Sequence, residues 1–151
     1  MPPGEAPPQI QPQSLGDYLE VMSKAVFQSG MSWKVVEAKW PGTREAFRNF
    51  DAQTVANLTP DDLDALTNDS RVIRNRRKLE AIVTNAAKLV ELDAKYGTFP
   101  GYLRSHGNFD STVADMRKQF TFLGDMGCYY FLYVVGEKVP PHEEFEASRR
   151  K

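Results

Sequence analysis

At 151 residues the chain suits one domain with a real hydrophobic core, and 41% hydrophobic against 26% charged residues is ordinary globular usage. A net charge of −1 supplies no global basic field, so a nucleic-acid contact would have to come from a patch on one face. The lone Cys128 excludes an intrachain disulfide or a multi-cysteine metal site, no apolar run nears the ~20 residues of a membrane span, and the N-terminus lacks a basic-then-apolar signal pattern. A cytoplasmic protein is expected.

Residues 1–13 carry five prolines and little apolar content, so they form a flexible leader or a packed-down extended arm. Ser14 can cap a helix to about Gln28, with Leu15, Tyr18, Leu19, Met22, Ala25 and Val26 on one face. Gln28, Ser29, Gly30 and Met31 interrupt it. Ser32 caps the next helix, which Pro41 is expected to stop. A short helix over residues 43–50 presents Phe47 and Phe50, and Asp51 caps another. Thr59-Pro60-Asp61-Asp62 is a strong start signal, with a cap, a proline at the first helical position and acids near the positive dipole end.

A longer helix is expected from about Ile73 to Tyr96, ended by Gly97. Asp110 or Ser111 should cap the helix that leads to Gln119. Phe120-Thr121-Phe122-Leu123-Gly124 then reads as a tight hairpin opening a strongly apolar helix at Asp125. Gly124 can take a positive φ or admit another backbone, and the free amides of Asp125, Met126 and Gly127 would make an anion site. Residues 139–145 read as an extended strap and residues 146–151 as a charged tail. No stretch alternates as a strand should. The expectation is an all-α domain over residues 14–145, with eight to ten helices counted along the chain.

Three separated stretches carry a resemblance. Phe27-Gln28-Ser29-Gly30-Met31-Ser32-Trp33 resembles the Gln-x-Gly-Leu-Ser-Trp segment of the DNA-3-methyladenine glycosylase I family. Residues 72–82, with Arg74, Arg76, Arg77 and Lys78, resemble its Ile-Ile-Arg-x-Arg-x-Lys-Ile stretch. Phe120 to Gly124, continued by Cys128 and Tyr129, resembles its Phe-Lys-Phe-Val-Gly … Cys-Tyr hairpin. All three fall in the family's order. The resemblance implies a helix-hairpin-helix DNA glycosylase fold and hydrolysis of the N-glycosidic bond of an alkylated purine, once the nucleotide is flipped out of damaged double-stranded DNA.

Carried over, the resemblance makes Gln28, Ser29, Gly30 and Met31 the plug that fills the gap, with Met31 as apolar wedge. Trp33, Tyr129 and the position of Ala25 line the base pocket. Leu123, Gly124, Asp125, Met126 and Gly127 grip a phosphate, and Arg74 and Lys78, four apart, form a phosphate track that Lys118 can join. Tyr129, Tyr130 and Tyr133 either line the pocket or fill the core. The family's base-recognition glutamate falls on Ala25, which accepts no hydrogen bond. The wider superfamily's catalytic aspartate falls on Glu143 and Glu144, with His142 beside them to orient water. The family's zinc site has no counterpart, since the tail offers only His142, so neither metal nor cofactor is expected. No lysine follows the hairpin closely enough to form a Schiff base, although Lys138 keeps that route open, so a monofunctional enzyme is expected. The remaining expectations are a monomer, located at the nucleoid, and a non-catalytic DNA-binding relative as the rival reading.

Overall fold

The structure is a computed structural model that describes residues 6–149. Among these residues there are nine α-helices, one 3-10 turn and no strand, which is the all-α architecture the sequence implies. The helices are α1 (Leu15–Gln28), α2 (Trp33–Ala46), α3 (Ala52–Ala56), α4 (Pro60–Thr67), α5 (Arg76–Lys95), α6 (Phe99–Leu103), α7 (Phe109–Gln119), α8 (Asp125–Val134) and α9 (His142–Arg149). None is long and apolar enough to cross a membrane.

Helix α5 is the spine, packed against α1, α3, α4 and α6, while α8 lies on α1 and α7. Its stripe of Leu79, Ile82, Ala86, Leu89 and Leu92 recurs at helical spacing and is wholly buried. Around it Phe47, Phe50 and Trp40 stack with ring centroids 5.4–5.5 Å apart. Phe99 and Phe131 fill the other half of the core.

Several local rules hold as written. Ser14 and Asp51 accept hydrogen bonds from the backbone three residues on, and Thr59 with Asp62 closes a full capping box. Others yield to packing. Helix α2 runs through Pro41 to Ala46, because Val36, Trp40, Thr43 and Ala46 form one buried face that a break would expose. Asn108, not Asp110 or Ser111, caps α7, its Oδ1 accepting from the Ser111 amide at 2.8 Å. Helix α5 begins only at Arg76, where Asn75 caps it through the Lys78 amide.

The N-terminal end takes one of its two expected forms, and the C-terminal end differs from expectation. Gln9 and Ile10 hydrogen-bond the Tyr133 and Val134 carbonyls, so this part of the leader is a packed arm and not a flexible one. Residues 1–5 lie outside the described residues. The strap is extended only to Pro141. From His142 it is helix, anchored by fully buried Phe145, and Arg149 is ion-paired into the domain. Residues 146–149 of the expected tail are thus helix, and residues 150–151 lie outside the described residues.

Candidate nucleic-acid interface and base pocket

Two loops frame the site. The first is the turn between α1 and α2. The Met31 amide bonds the Gln28 carbonyl at 3.1 Å, and Gly30 takes φ +76°, a conformation a side chain would strain. Ser29 and Gly30 form the exposed tip, whereas Met31 is half-buried against the core. Gln28 does not point out as a plug residue would, because its amide nitrogen is shut away from solvent.

The second loop is the hairpin. Phe122, not Gly124, takes the positive φ, at +59°, while Gly124 is extended with open space where a Cβ would stand. No side chain caps α8, so its first amides have no partner within the helix. The carboxylate of Asp125 is ion-paired with Arg117 and Arg149, each at 3.0 Å. Gly124 is exposed and Met126 is 52% exposed, but Leu123 is buried and offers a phosphate only its backbone. Gly127 gives the Leu123 side chain its room. A Cβ there would meet Leu123 Cδ1 at 3.1 Å and Ala25 Cβ at 3.7 Å.

Helix α5 holds both loops. Lys78 is 5% exposed, and its ammonium donates to the Phe27 carbonyl at 3.2 Å and to the Ser29 carbonyl. Burial pushes its pKa down. Two turns further, Asn85, 1% exposed, accepts from the Thr121 amide at 2.9 Å and donates to the Thr121 carbonyl at 3.1 Å. Lys78 therefore cannot be a phosphate contact, which corrects the proposed track. Arg74 precedes the helix, so the two never share a helix face. Asn85 had no sequence signal beyond being a polar residue within an apolar stripe.

The remaining cations divide clearly. Arg71 pairs with Asp69 and Glu45, and Arg76 with Asp64 and Glu80. Arg74 and Arg77 are exposed, and Arg77 lies over the Phe122 ring at 5.5 Å, beside the hairpin.

Between the loops, Trp33 at the start of α2 meets Tyr130 of α8 edge-on, with centroids 6.3 Å apart at 68°. The sequence profile of the family described as Methyladenine glycosylase matches residues 13–119, well over half the chain, and stops one residue before the hairpin. The DNA-3-methyladenine glycosylase of Haemophilus influenzae is 32% identical over 130 residues, covering 72% of this chain and 70% of that one. The chain belongs to the methyladenine glycosylase family. DNA-3-methyladenine glycosylase 1 of Escherichia coli is 26% identical over the same shares. The structure of 3-methyladenine DNA glycosylase I from Staphylococcus aureus superposes with a TM-score of 0.74 at 25% identity, over 87% of this chain and 84% of that one. A single-residue variant of a 3-methyladenine DNA glycosylase I, solved in complex with 3-methyladenine, matches equally well over 90% and 86%. These superpositions extend the likeness past the hairpin. The family's fold and class of reaction, hydrolysis of an N-glycosidic bond in DNA, come with membership.

Ala25, which the resemblance alone aligns with the recognition glutamate, is buried, with Gly127 of α8 beside it. Tyr129 is not a pocket wall. Its hydroxyl donates to the Pro140 carbonyl at 2.6 Å and its ring stacks on Phe145 at 4.4 Å, latching the strap to α8. Tyr130 takes the place facing Trp33. The structure likewise does not gather the expected catalytic trio around Trp33. Glu143, Glu144 and His142 are exposed on α9, with His142 near Glu146 at 3.1 Å. The groove that Glu144 lines is walled by Phe109, Pro140, Glu137, Lys138 and Arg149, and includes neither Trp33 nor Ala25. Surface position, not spacing in sequence, decides the matter.

The residues present do not fit a zinc ion. The one cysteine, Cys128, is fully buried in α8 with its thiol pushed up to about 12 by burial. His106 faces Asp115 on the far side of Tyr102. Among the described residues no three potential ligands are gathered.

Proposed function

We propose that this family member releases an alkylated purine from duplex DNA, acting as a monomer on chromosomal DNA. In this reading the open amides of Asp125, Met126 and Gly127 hold one phosphate, with the positive end of α8 behind them. Arg74 and Arg77 follow the backbone beside it. Ser29, Gly30 and Met31 enter the stack and occupy the space left by the extruded nucleotide.

The observation that carries the reading is Trp33 facing Tyr130 in the seam between the two loops. A purine alkylated on a ring nitrogen is cationic and electron-poor, so an indole face attracts it. It also leaves the sugar as a neutral base, which lowers the demand for acid catalysis at the leaving group. A pocket that grips the cation and excludes bulk water then does much of the work. Neither of two lysines weighed for a Schiff-base route stands at Trp33. Lys78 is committed to two carbonyls, and Lys138 lines the groove beside Glu144, away from Trp33.

The test is chromatography of bases released from methylated DNA. Wild type releases alkylated purine, and Trp33→Ala lowers the rate by at least about tenfold, as loss of a stacking platform should. Undiminished release by Trp33→Ala would contradict the pocket. Ala25 favours a second reading, a non-catalytic relative that recognises distorted duplex. Tight binding of abasic duplex without release of any base would select it.

A further inference from the structure

We propose that Phe122 is a positioning residue for DNA binding: its ring holds the Arg77 guanidinium, still charged and with its donors free, against the sugar–phosphate backbone beside the hairpin. This rests on the hairpin amides taking a phosphate, as argued above.

The cations of residues 71–78 differ in what holds them. Arg71 pairs with Asp69 and Glu45, Arg76 pairs with Asp64 and Glu80, and the Lys78 ammonium donates to two buried carbonyls. Among the described residues no carboxylate pairs with Arg77, whose guanidinium lies over the Phe122 ring at 5.5 Å from its centroid. Arg77 also stands in the first turn of α5, which carries no acidic residue and where the helix dipole disfavours a cation. An uncompensated positive charge at that end is suited to an incoming anion.

The kind of partner matters. A carboxylate would occupy the guanidinium's N–H groups and cancel its charge. An aromatic ring takes only the flat face, so the N–H fork stays in its plane and can meet phosphate oxygens two at a time. The side chain is thus ordered before DNA arrives, and less freedom is lost on binding.

The hairpin backbone is built to present this ring. Phe122 takes φ +59°, a conformation uncommon for any residue but glycine. Both of its neighbours are fixed. The Thr121 amide and carbonyl are bonded to Asn85 at 2.9 and 3.1 Å, and the Leu123 side chain is buried. Such a conformation persists where its surroundings determine it. Phe120 is buried in the core, whereas Phe122 is 36% exposed under Arg77. Because Phe122 lies two residues before Gly124, the guanidinium stands beside the amides assigned to a phosphate.

The experiment is fluorescence anisotropy of a duplex with one abasic site, titrated over a salt series with wild type, Arg77→Ala, Phe122→Leu, Phe122→Tyr and the Arg77→Ala/Phe122→Leu double variant. Arg77→Ala is expected to weaken binding and to reduce the slope of log affinity against log salt by about 1. Phe122→Leu keeps apolar bulk without the ring face and should weaken binding by about two- to fivefold, the range of one cation–π contact. Phe122→Tyr restores the ring and the affinity. In the Arg77→Ala background Phe122→Leu should cost nothing further, whereas a merely structural role for Phe122 would weaken both backgrounds alike. An equal loss in both backgrounds, or full affinity in Phe122→Leu while Arg77→Ala is weakened, overturns the inference and leaves the hairpin reading standing. Absence of duplex binding by wild type at low salt removes both.

Discussion

Lys78 and Asn85 stand seven residues apart on the buried face of α5, and each holds one of the two loops assigned to DNA. Two helical turns set the distance between the ammonium under the α1–α2 turn and the amide clamped on Thr121. The spacing of the proposed wedge and the proposed phosphate site is thus fixed by one rigid helix rather than by the loops themselves.

Replacing Lys78 separates positioning from phosphate binding. Lys78→Met strands the Phe27 and Ser29 carbonyls, so urea unfolding should show a loss of about 1–3 kcal/mol. Base release should fall more than duplex affinity, and the salt dependence of binding should stay as it is. Arg74→Ala should do the opposite. Its stability is unchanged, its affinity falls, and the slope of log affinity against log salt shrinks by about 1.

Asn85→Ala removes both hydrogen bonds to Thr121 and leaves a buried backbone amide and carbonyl unpaired, which costs about 1–3 kcal/mol. Because the hairpin loses its clamp, duplex affinity should weaken even though Asn85 is buried. Denaturant titration and fluorescence anisotropy read the two effects. Stability lost with affinity intact would show that the hairpin needs no such support.

Much of this was legible in sequence, and the exceptions share a cause. Caps at Ser14, Asp51 and Thr59, the all-α class and the start of α8 at Asp125 follow from local chemistry and spacing. Lys78 was misread because a lysine in a basic run looks solvated, and only tertiary packing shows a carbonyl pair waiting for it. Tyr129 and Tyr130 are adjacent and alike in type, but a helix turns neighbours about 100° apart, so one latches the strap and the other faces Trp33. Glu143 and Glu144 sit where spacing suggested a catalytic carboxylate, yet Phe145 turns their helix so that both face solvent.

Alkaline stability tests the burial of Tyr130. Its phenol ionises near 10 in the unfolded chain and near about 12 when folded, so between these values the folded state holds the proton and the unfolded state does not. The stability this represents is present below pH 10 and is lost as pH rises through about 12. Wild type should therefore lose about 2–3 kcal/mol relative to Tyr130→Phe across that window, measured by urea unfolding. A constant difference would place the hydroxyl in water.

At the α1–α2 turn, Met31→Ala should leave undamaged-duplex affinity within about twofold while lowering extrusion, since a wedge acts only once the base has left. The fluorescence of 2-aminopurine beside the lesion reports it. Gly30→Ala meets no neighbouring atom, so its cost, about 1 kcal/mol, is that of the positive φ alone.

The most direct measurement is a titration of the isotope-labelled protein with a duplex carrying a single abasic site, followed by backbone amide NMR. The account predicts that the largest shifts fall on Ser29 and Gly30 and on the amides of Gly124 to Gly127, with α9 unmoved. Shifts concentrated on Glu144, Ser148 and the α6–α7 loop, with the hairpin amides silent, would contradict it.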